Sequence, residues 1–517
     1  MTARRKRLLK LNFTWMMIGV LGLIQSDSVT ATTLRVGASD RPPGLGNPYE
    51  SIATGSSHSR AAILDALLRQ DGSGQFEPAL ALRWTSTSDL TWEFKLRPNT
   101  FFSNGEPVDA AAVKATLDFL TGPDSARYLI AQETRAIART DVIDAETIVI
   151  TTSYPDAILP KRLSLAMIVP PKAFAEMGLS AFAQAPIGSG SYVLEDWGTQ
   201  SGLTILTANP TSWRAPEQID RVEIRAPLRE AVVRLQALRS GQVDITLNIN
   251  VDEQALIAAE GFINTVKPIG IIQSIGLPNM GNPDSPLQDV RVRRALNYAV
   301  NKEVITDIIM GGTTQPVGQG AIPESFGYNP DLKPYPYDPD RARALLKDAG
   351  YAAGFTLDTE VLRGGSPTDD TVYIQVAQDL ARVGVTMNVR PLIGQEWIRK
   401  YFSGDWGSAD ALSVTWNADA YADTIRGIET FSCAKPGVFF CEPSLTPLIE
   451  QSNRAFETPE RERLLKNIMA QMHDLAPSIF LYNQSLIISR HPRVENVVMG
   501  GGGFVFEQMR VRETVEP

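Results

Sequence analysis

The chain has 517 residues, 43% of them apolar and 21% charged, with a formal charge of −9 and only two cysteines and three histidines. An acidic balance of this size excludes a phosphate-tracking nucleic-acid binder, and so few histidines leave little supply for a transition-metal centre. The length exceeds what one hydrophobic core normally serves, so at least two domains are expected.

In chain order, Arg4, Arg5, Lys6, Arg7 and Lys10 precede the apolar stretch 15–24, and a polar segment then ends at Ala31. About ten apolar residues are too short to span about 30 Å of hydrocarbon, and small residues at the end suit cleavage, so 1–31 reads as a signal peptide cut after Ala31. The Arg4-Arg5 pair leaves the twin-arginine route open beside general secretion. Removing 1–31 takes away five basic groups and one acidic group and leaves a formal charge of −13. The only cysteines are Cys433 and Cys441, far from the apolar core, so no lipid anchor and no stable membrane insertion are expected after processing.

Leu34 to Ala38 reads as an opening strand. The spacing of Ile63, Leu64, Leu67 and Leu68 predicts a helix from Ser59 to Arg69, ended by Asp71-Gly-Ser-Gly74. Trp92, Phe94 and Leu96 alternate with charged residues, which predicts a half-buried strand. Asn104-Gly105 supplies a turn, and Asp109 caps a helix from Ala110 to Leu120. The glycines of Pro186-Ile-Gly-Ser-Gly-Ser-Tyr192 permit close backbone approach.

Residues 285–309 carry Val292, Ala295, Leu296, Ala299, Val300, Val304, Ile305 and Ile308 at helical spacing, with Arg291, Arg294, Asn297, Asn301 and Lys302 on the other face. One amphipathic helix is predicted, capped by Asp289 and leaving through Gly311-Gly312. Pro339, in the segment Asp338 to Tyr351, sits where a first helical position tolerates it. Ala411 to Trp416 reads as a buried strand emptying into the polar loop Asn417-Ala-Asp-Ala-Tyr-Ala-Asp423. In an exported chain Cys433 and Cys441 predict a disulfide; a lone C-x7-C without a nearby histidine does not complete a zinc ligand set. Gly500-Gly-Gly-Gly503 reads as a flexible turn.

The wording of several segments goes further than periodicity. Asp289-Val-Arg-Val-Arg-Arg-Ala-Leu-Asn-Tyr-Ala-Val-Asn-Lys-Glu303 resembles the D-x-R-V-R-x-A-[LI]-x-x-A-[IV]-[ND]-[RK] signature of the family 5 extracellular solute-binding proteins, receptors for peptides, opines and nickel in ABC importers. Phe76 to Trp84, Thr91 to Asp109, Pro186 to Tyr192, Leu235 to Ile245 and Asp338 to Tyr351 resemble further family segments in the same order. The resemblance implies an α/β fold of the periplasmic binding protein type 2 kind, with two hinged lobes and an extra inserted domain. The expected boundaries are lobe I at 32–76, 188–285 and 490–517, the inserted domain at 77–187 and lobe III at 286–489. It also implies a periplasmic monomer that closes on a small solute and presents it to an inner-membrane ABC permease.

Candidate ligand residues lie at the end of the strand over 411–416, where α/β lobes collect ligands. In peptide-binding members of the family a W-x-x-D segment places its carboxylate on the ligand's α-ammonium, and Trp416 and Asp419 occupy those positions. Asn417 and Asp423 share the loop, and the family's D-P is Asp423-Thr424 here. Caps and loop solvation are the competing roles for both aspartates, and core packing for Trp416. Ser57 and His58, just before the first helix, present a hydroxyl and backbone N–H groups suited to an anion, or simply cap the loop.

No catalytic residue and no cofactor is expected. His58, His473 and His491 have no identifiable nucleophile partner, and no G-x-S-x-G, H-E-x-x-H or phosphate-loop pattern occurs. The expected solute is a short peptide or amino-acid conjugate. An opine or sugar-phosphate-like conjugate is the alternative, with nickel third and a secreted hydrolase last.

Overall fold

A computed structural model describes residues 31–50, 58–125, 127–280, 282–362, 368–403, 407–433 and 439–512. The chain divides into two units at Ala31/Thr32. The expected signal segment and Ser57 lie outside the described residues, apart from Ala31.

The second unit opens with β1 (Thr33–Gly37), α1 (His58–Ile63) and a hairpin of β2 (Leu68–Gln70) and β3 (Phe76–Pro78). The helix expected over 59–69 therefore stops six residues early. The cause is the glycine run beyond it: Gly190 N–H donates to the Ile63 carbonyl at 2.9 Å, and a Cβ at Gly188 would lie 1.9 Å from that oxygen. The crossing backbone takes the helix terminus as its partner, and the chain leaves as a strand. Asp71 then closes the hairpin turn by accepting from the N–H groups of Ser73 and Gln75 at 2.8 and 2.9 Å.

An antiparallel sheet follows, made of β4 (Ala81–Ser88), β5 (Thr91–Leu96), β6 (Ile137–Asp144) and β7 (Thr147–Thr152) in the order β4-β5-β7-β6. It is packed by α2 (Ala110–Thr121), whose Asp109 cap accepts from Ala112 N–H at 2.9 Å. Strands β8 (Tyr192–Asp196), β9 (Leu203–Ala208), β10 (Arg221–Arg225) and β11 (Ile245–Leu247) return the chain to β1. The long β12 (Ile263–Gly276), then β13 (Phe355–Leu362), β14 (Val385–Leu392), β15 (Ala411–Asn417) and the long β16 (Ser478–Arg490) complete a ten-stranded mixed sheet. Its order is β14-β13-β15-β12-β16-β11-β1-β10-β9-β8.

The three larger clusters of buried core residues form two sets. One gathers β1, the four-stranded sheet and 486–511; the others lie within 272–482 apart from Ile158 and Leu165. Strands β12 and β16 serve both sides. Between Pro268 and Ile272 the pairing of β12 with β16 slips register.

The segment read as one helix over 285–309 is two. Helix α3 (Val290–Ala299) buries Val292, Ala295, Leu296 and Ala299 and takes its cap from Asp289, which accepts from Arg291 N–H at 2.7 Å. Val300 is extended, and a π-helical turn at Val304–Ile309 follows, leaving through Gly311 and Gly312 at positive φ. The polar residues expected on a wet face explain the break. Lys302 is 2% exposed and donates to the carbonyls of Asn297 and Tyr335 at 2.8 and 3.3 Å, while Asp379 accepts from Asn301 N–H at 2.9 Å. A lysine at a helix C-terminus satisfies carbonyls that have no intrahelical partner. Burial pushes the Lys302 ammonium down to about 7, with Glu303 and Asp379 opposing.

Cys433 and Cys441 form the expected disulfide. Among the described residues no helix is long and apolar enough to cross a membrane.

Candidate ligand-binding site

A cavity of ≈ 140 Å³ lies where α1, β2, the loop after β15 and the glycine run at 500–503 converge. Strand alternation decides which residues of β15 reach it. Trp416 and Asn417 are neighbours on a pleated strand and face opposite sides. Asn417 lines the cavity, whereas Trp416 is 1% exposed, donates from Nε1 to Ser478 Oγ at 3.1 Å and packs on Phe431 and Phe480. The cleft position expected of Trp416 is thus replaced by one in the core.

Asp419 lines the cavity and is half-buried. Its Oδ1 accepts from Gly270 N–H at 3.1 Å, inside the slipped segment of β12, and its carbonyl accepts from Gln70 Nε2 of β2 at 3.1 Å. Burial raises the Asp419 carboxyl above the ordinary carboxylate value; the Gly270 hydrogen bond, Lys267 and Arg426 pull the other way. A carboxylate short of compensating charge is suited to a cation brought by a ligand.

Asp423, four residues on, has no such capacity. It is fully buried and holds two cations, Lys161 at 2.9 Å and Arg461 at 2.7 and 3.0 Å. Burial would raise its carboxyl, but Arg461 and Lys161 outweigh burial and hold it below the usual range. Lys161 follows the four-stranded sheet, so this cluster ties that region to the loop after β15. The tie is extended by Arg162, which meets Asp156 at 2.8 Å and Glu429 at 2.9 Å, and by the Tyr421 hydroxyl donating to Glu133.

His58 lies behind the cavity wall rather than in it. It is 2% exposed, and its Nδ1 accepts from Phe504 N–H at 3.0 Å. An anion site at this helix start therefore finds His58 already engaged with backbone.

Sequence reasoning missed two contributors. Arg214 binds Asp65 and Glu507 at 2.7 and 2.8 Å, and Arg69 binds Glu77 and Glu507 at 2.6 and 3.1 Å, so a charged belt supports the cavity. Burial disfavours the Arg214 charge, yet Asp65 and Glu507 hold its guanidinium above the ordinary value. No motif marks these arginines: Arg214 finds Asp65 and Glu507 at separations of 149 and 293 residues, and Arg69 reaches Glu507 across 438. The glycine run was visible, but its role as cavity wall depends on what packs behind it.

The sequence profile of the bacterial extracellular solute-binding proteins, family 5, matches residues 75–437. The glutathione-binding protein GsiB of Salmonella paratyphi A is 29% identical over 348 residues, a stretch covering 66% of this chain and 66% of that relative. GsiB of Escherichia coli O1:K1 / APEC is 27% identical over 486 residues, 89% of this chain and 91% of the relative. Among solved structures, DppA of Helicobacter pylori with the peptide STSA superposes with a TM-score of 0.78 at 21% identity, covering 93% of this chain and 98% of that one. MoaA of A. tumefaciens R10 with mannopinic acid gives 0.77 at 22% identity, covering 94% and 100%. The ten-stranded α/β architecture is therefore that of the type 2 periplasmic binding proteins, as expected. The chain belongs to the family 5 bacterial extracellular solute-binding proteins, the substrate-binding components of ABC importers, and it binds a solute rather than transforming one.

Proposed function

We propose that this receptor captures a short peptide or amino-acid conjugate in the cavity and places the ligand's ammonium group on Asp419. The observation that carries this reading is the Asp419 carboxylate. It lines the cavity with one oxygen on Gly270 N–H, and its other oxygen makes no hydrogen bond among the described residues. A charge-assisted bond to an ammonium in a partly desolvated site completes that group. Apolar neighbours such as Leu64, Leu165, Met167 and Ile271 suit the aliphatic body of such a ligand.

Glutathione, for which relatives are named, is itself an amino-acid conjugate with one ammonium group. The protein acts in the periplasm as a monomer after export, with the lobes at 32–76, 188–285 and 490–517 and at 286–489 closing on the ligand. The closed form then meets the permease of the importer. Ligand favours closure only by the margin with which it binds that state better.

Native mass spectrometry of protein purified without refolding identifies a retained ligand. Calorimetry with glutathione and trialanine on wild type and Asp419→Ala then tests the anchor. Truncating one partner of a desolvated charge pair costs about 2–5 kcal/mol. Equal affinity of the two proteins for both probes discards the ammonium assignment.

A further inference from the structure

The glycine run is a wall one backbone thick. Met499 pairs with Phe504 and Gly500 with Gly503, so 500–503 forms a hairpin turn whose residues line the cavity. Behind it stands α1. The His58 ring lies against the Phe504 ring, with centroids 4.7 Å apart and planes at 20°, and its Nδ1 accepts from Phe504 N–H. Nδ1 presents a lone pair, so the ring proton of neutral His58 sits on Nε2.

A side chain at any of these four glycines would run into α1 or into Gln70 of β2. Gly503 has φ +128°, and a Cβ there would lie 2.5 Å from His58 Nδ1. At Gly502 it would lie 2.9 Å from Ala61 Cβ, and at Gly500 and Gly501 it would lie 2.5 and 2.4 Å from the backbone and side-chain oxygens of Gln70. The turn is therefore clamped between α1 and β2 and offers the cavity only backbone groups. Gln70 also donates to the Asp419 carbonyl, so the wall stands one side chain away from the proposed ammonium anchor.

We propose that His58 is a positioning residue that fixes the 500–503 wall, and that this wall limits the bulk of the ligand residue carrying the ammonium group. The proposal rests on the peptide reading above and deepens it. A peptide or conjugate with a small first residue fits beside a wall of glycines, and a large first side chain meets immovable backbone.

The test uses tripeptides differing only at the first position, Ala-Ala-Ala, Leu-Ala-Ala and Trp-Ala-Ala, with calorimetry on wild type, His58→Leu and His58→Gln. Leucine removes the acceptor for Phe504 N–H while keeping an apolar bulk; the glutamine amide oxygen restores it. Leaving a buried donor unpaired is worth about tenfold or more in an equilibrium. Wild type is expected to prefer Ala-Ala-Ala, His58→Leu to lose that preference by about tenfold, and His58→Gln to recover it. Affinities that fall equally for all three peptides, with the preference unchanged, overturn the proposal.

Hydrogen exchange separates this from the peptide reading itself. If wild type binds none of the three peptides, that reading fails, and the wall is judged on the Gly501 to Phe504 amides. Exchange there at least tenfold faster in His58→Leu, and restored in His58→Gln, supports the positioning role. Unchanged protection overturns it.

Discussion

Asp419 Oδ1 accepts a hydrogen bond from Gly270 N–H at 3.1 Å, and the Ala418 N–H returns one to the Gly270 carbonyl at 2.8 Å. A Cβ at Gly270 would lie 3.0 Å from Asp419 N, so the two backbones pass closely enough that a larger residue there must push Asp419 aside by a few tenths of an ångström. The cavity carboxylate is thus aimed by backbone of β12, not by a flexible side chain.

The raised Asp419 carboxyl sets the sign of a pH dependence. An ammonium ligand prefers the ionised carboxylate, so affinity is full above the raised value and falls as pH drops through it, in a window that begins above the ordinary 3.8. Calorimetry of trialanine between pH 7 and pH 4 is expected to show this loss in wild type. Asp419→Asn is expected to bind weakly throughout, with no such window; a parallel fall in both proteins contradicts the assignment.

Asp423→Asn leaves Lys161 and Arg461 beside a neutral group in the interior. Breaking a buried ion pair by removing one partner typically costs about 3–5 kcal/mol, and chemical denaturation at neutral pH is expected to show a loss of that order. The Asp423 carboxyl is depressed in the folded protein. Its stabilisation is therefore present above the unfolded value and disappears as pH falls through the lowered folded one. Acid titration of stability in Asp423→Asn should lack that component.

Gly188→Ala and Gly190→Ala place a methyl 1.9 and 2.2 Å from the carbonyl oxygens of Ile63 and Ala62. Neither oxygen is the end of a flexible side chain, so α1 must move. We expect each to destabilise by about 3 kcal/mol or more, within the range of overpacked sites. A thermal midpoint within 2 °C of wild type, on the order of 1 kcal/mol or less, is the contrary result.

Lys302 is a test of burial with no carboxylate in contact among the described residues, only the carbonyls of Asn297 and Tyr335. Its folded value of about 7 lies below the ordinary lysine value of 10.5, so the unfolded chain binds more protons between the two and stability rises with pH across that interval. Urea midpoints measured at pH 7 and pH 9 should increase in wild type and stay level in Lys302→Met.

What the sequence disclosed, and what it withheld, follows from the range of the interactions. The caps by Asp109 and Asp289 and the turn at Gly311-Gly312 were legible because they depend on residues a few positions apart; the glycines of 186–192 announced a close approach, but not that Ile63 was its partner. The family wording around Asp289 to Glu303 carried the architecture. Lys302 misled because a lysine at helical spacing looks solvent-facing until Tyr335 and Asp379 are brought beside it. Asn417 and Asp419 were placed at the cavity by strand-end logic, whereas Asp423 was already committed to Lys161, 262 residues earlier. Trp416 turned inward for a reason as simple as the pleat: one residue's shift along a strand reverses the face.

Strand β12 spans both sets of core residues, and its register slip falls at the segment that contacts Asp419. A rotation of one side against the other, as the proposed closure entails, would twist the peptide planes that hold the Asp419 carboxylate. Under the proposed closure, that strand works as a torsion bar, and the orientation of the outer surfaces reports an occupied cavity without a relay of side chains between them.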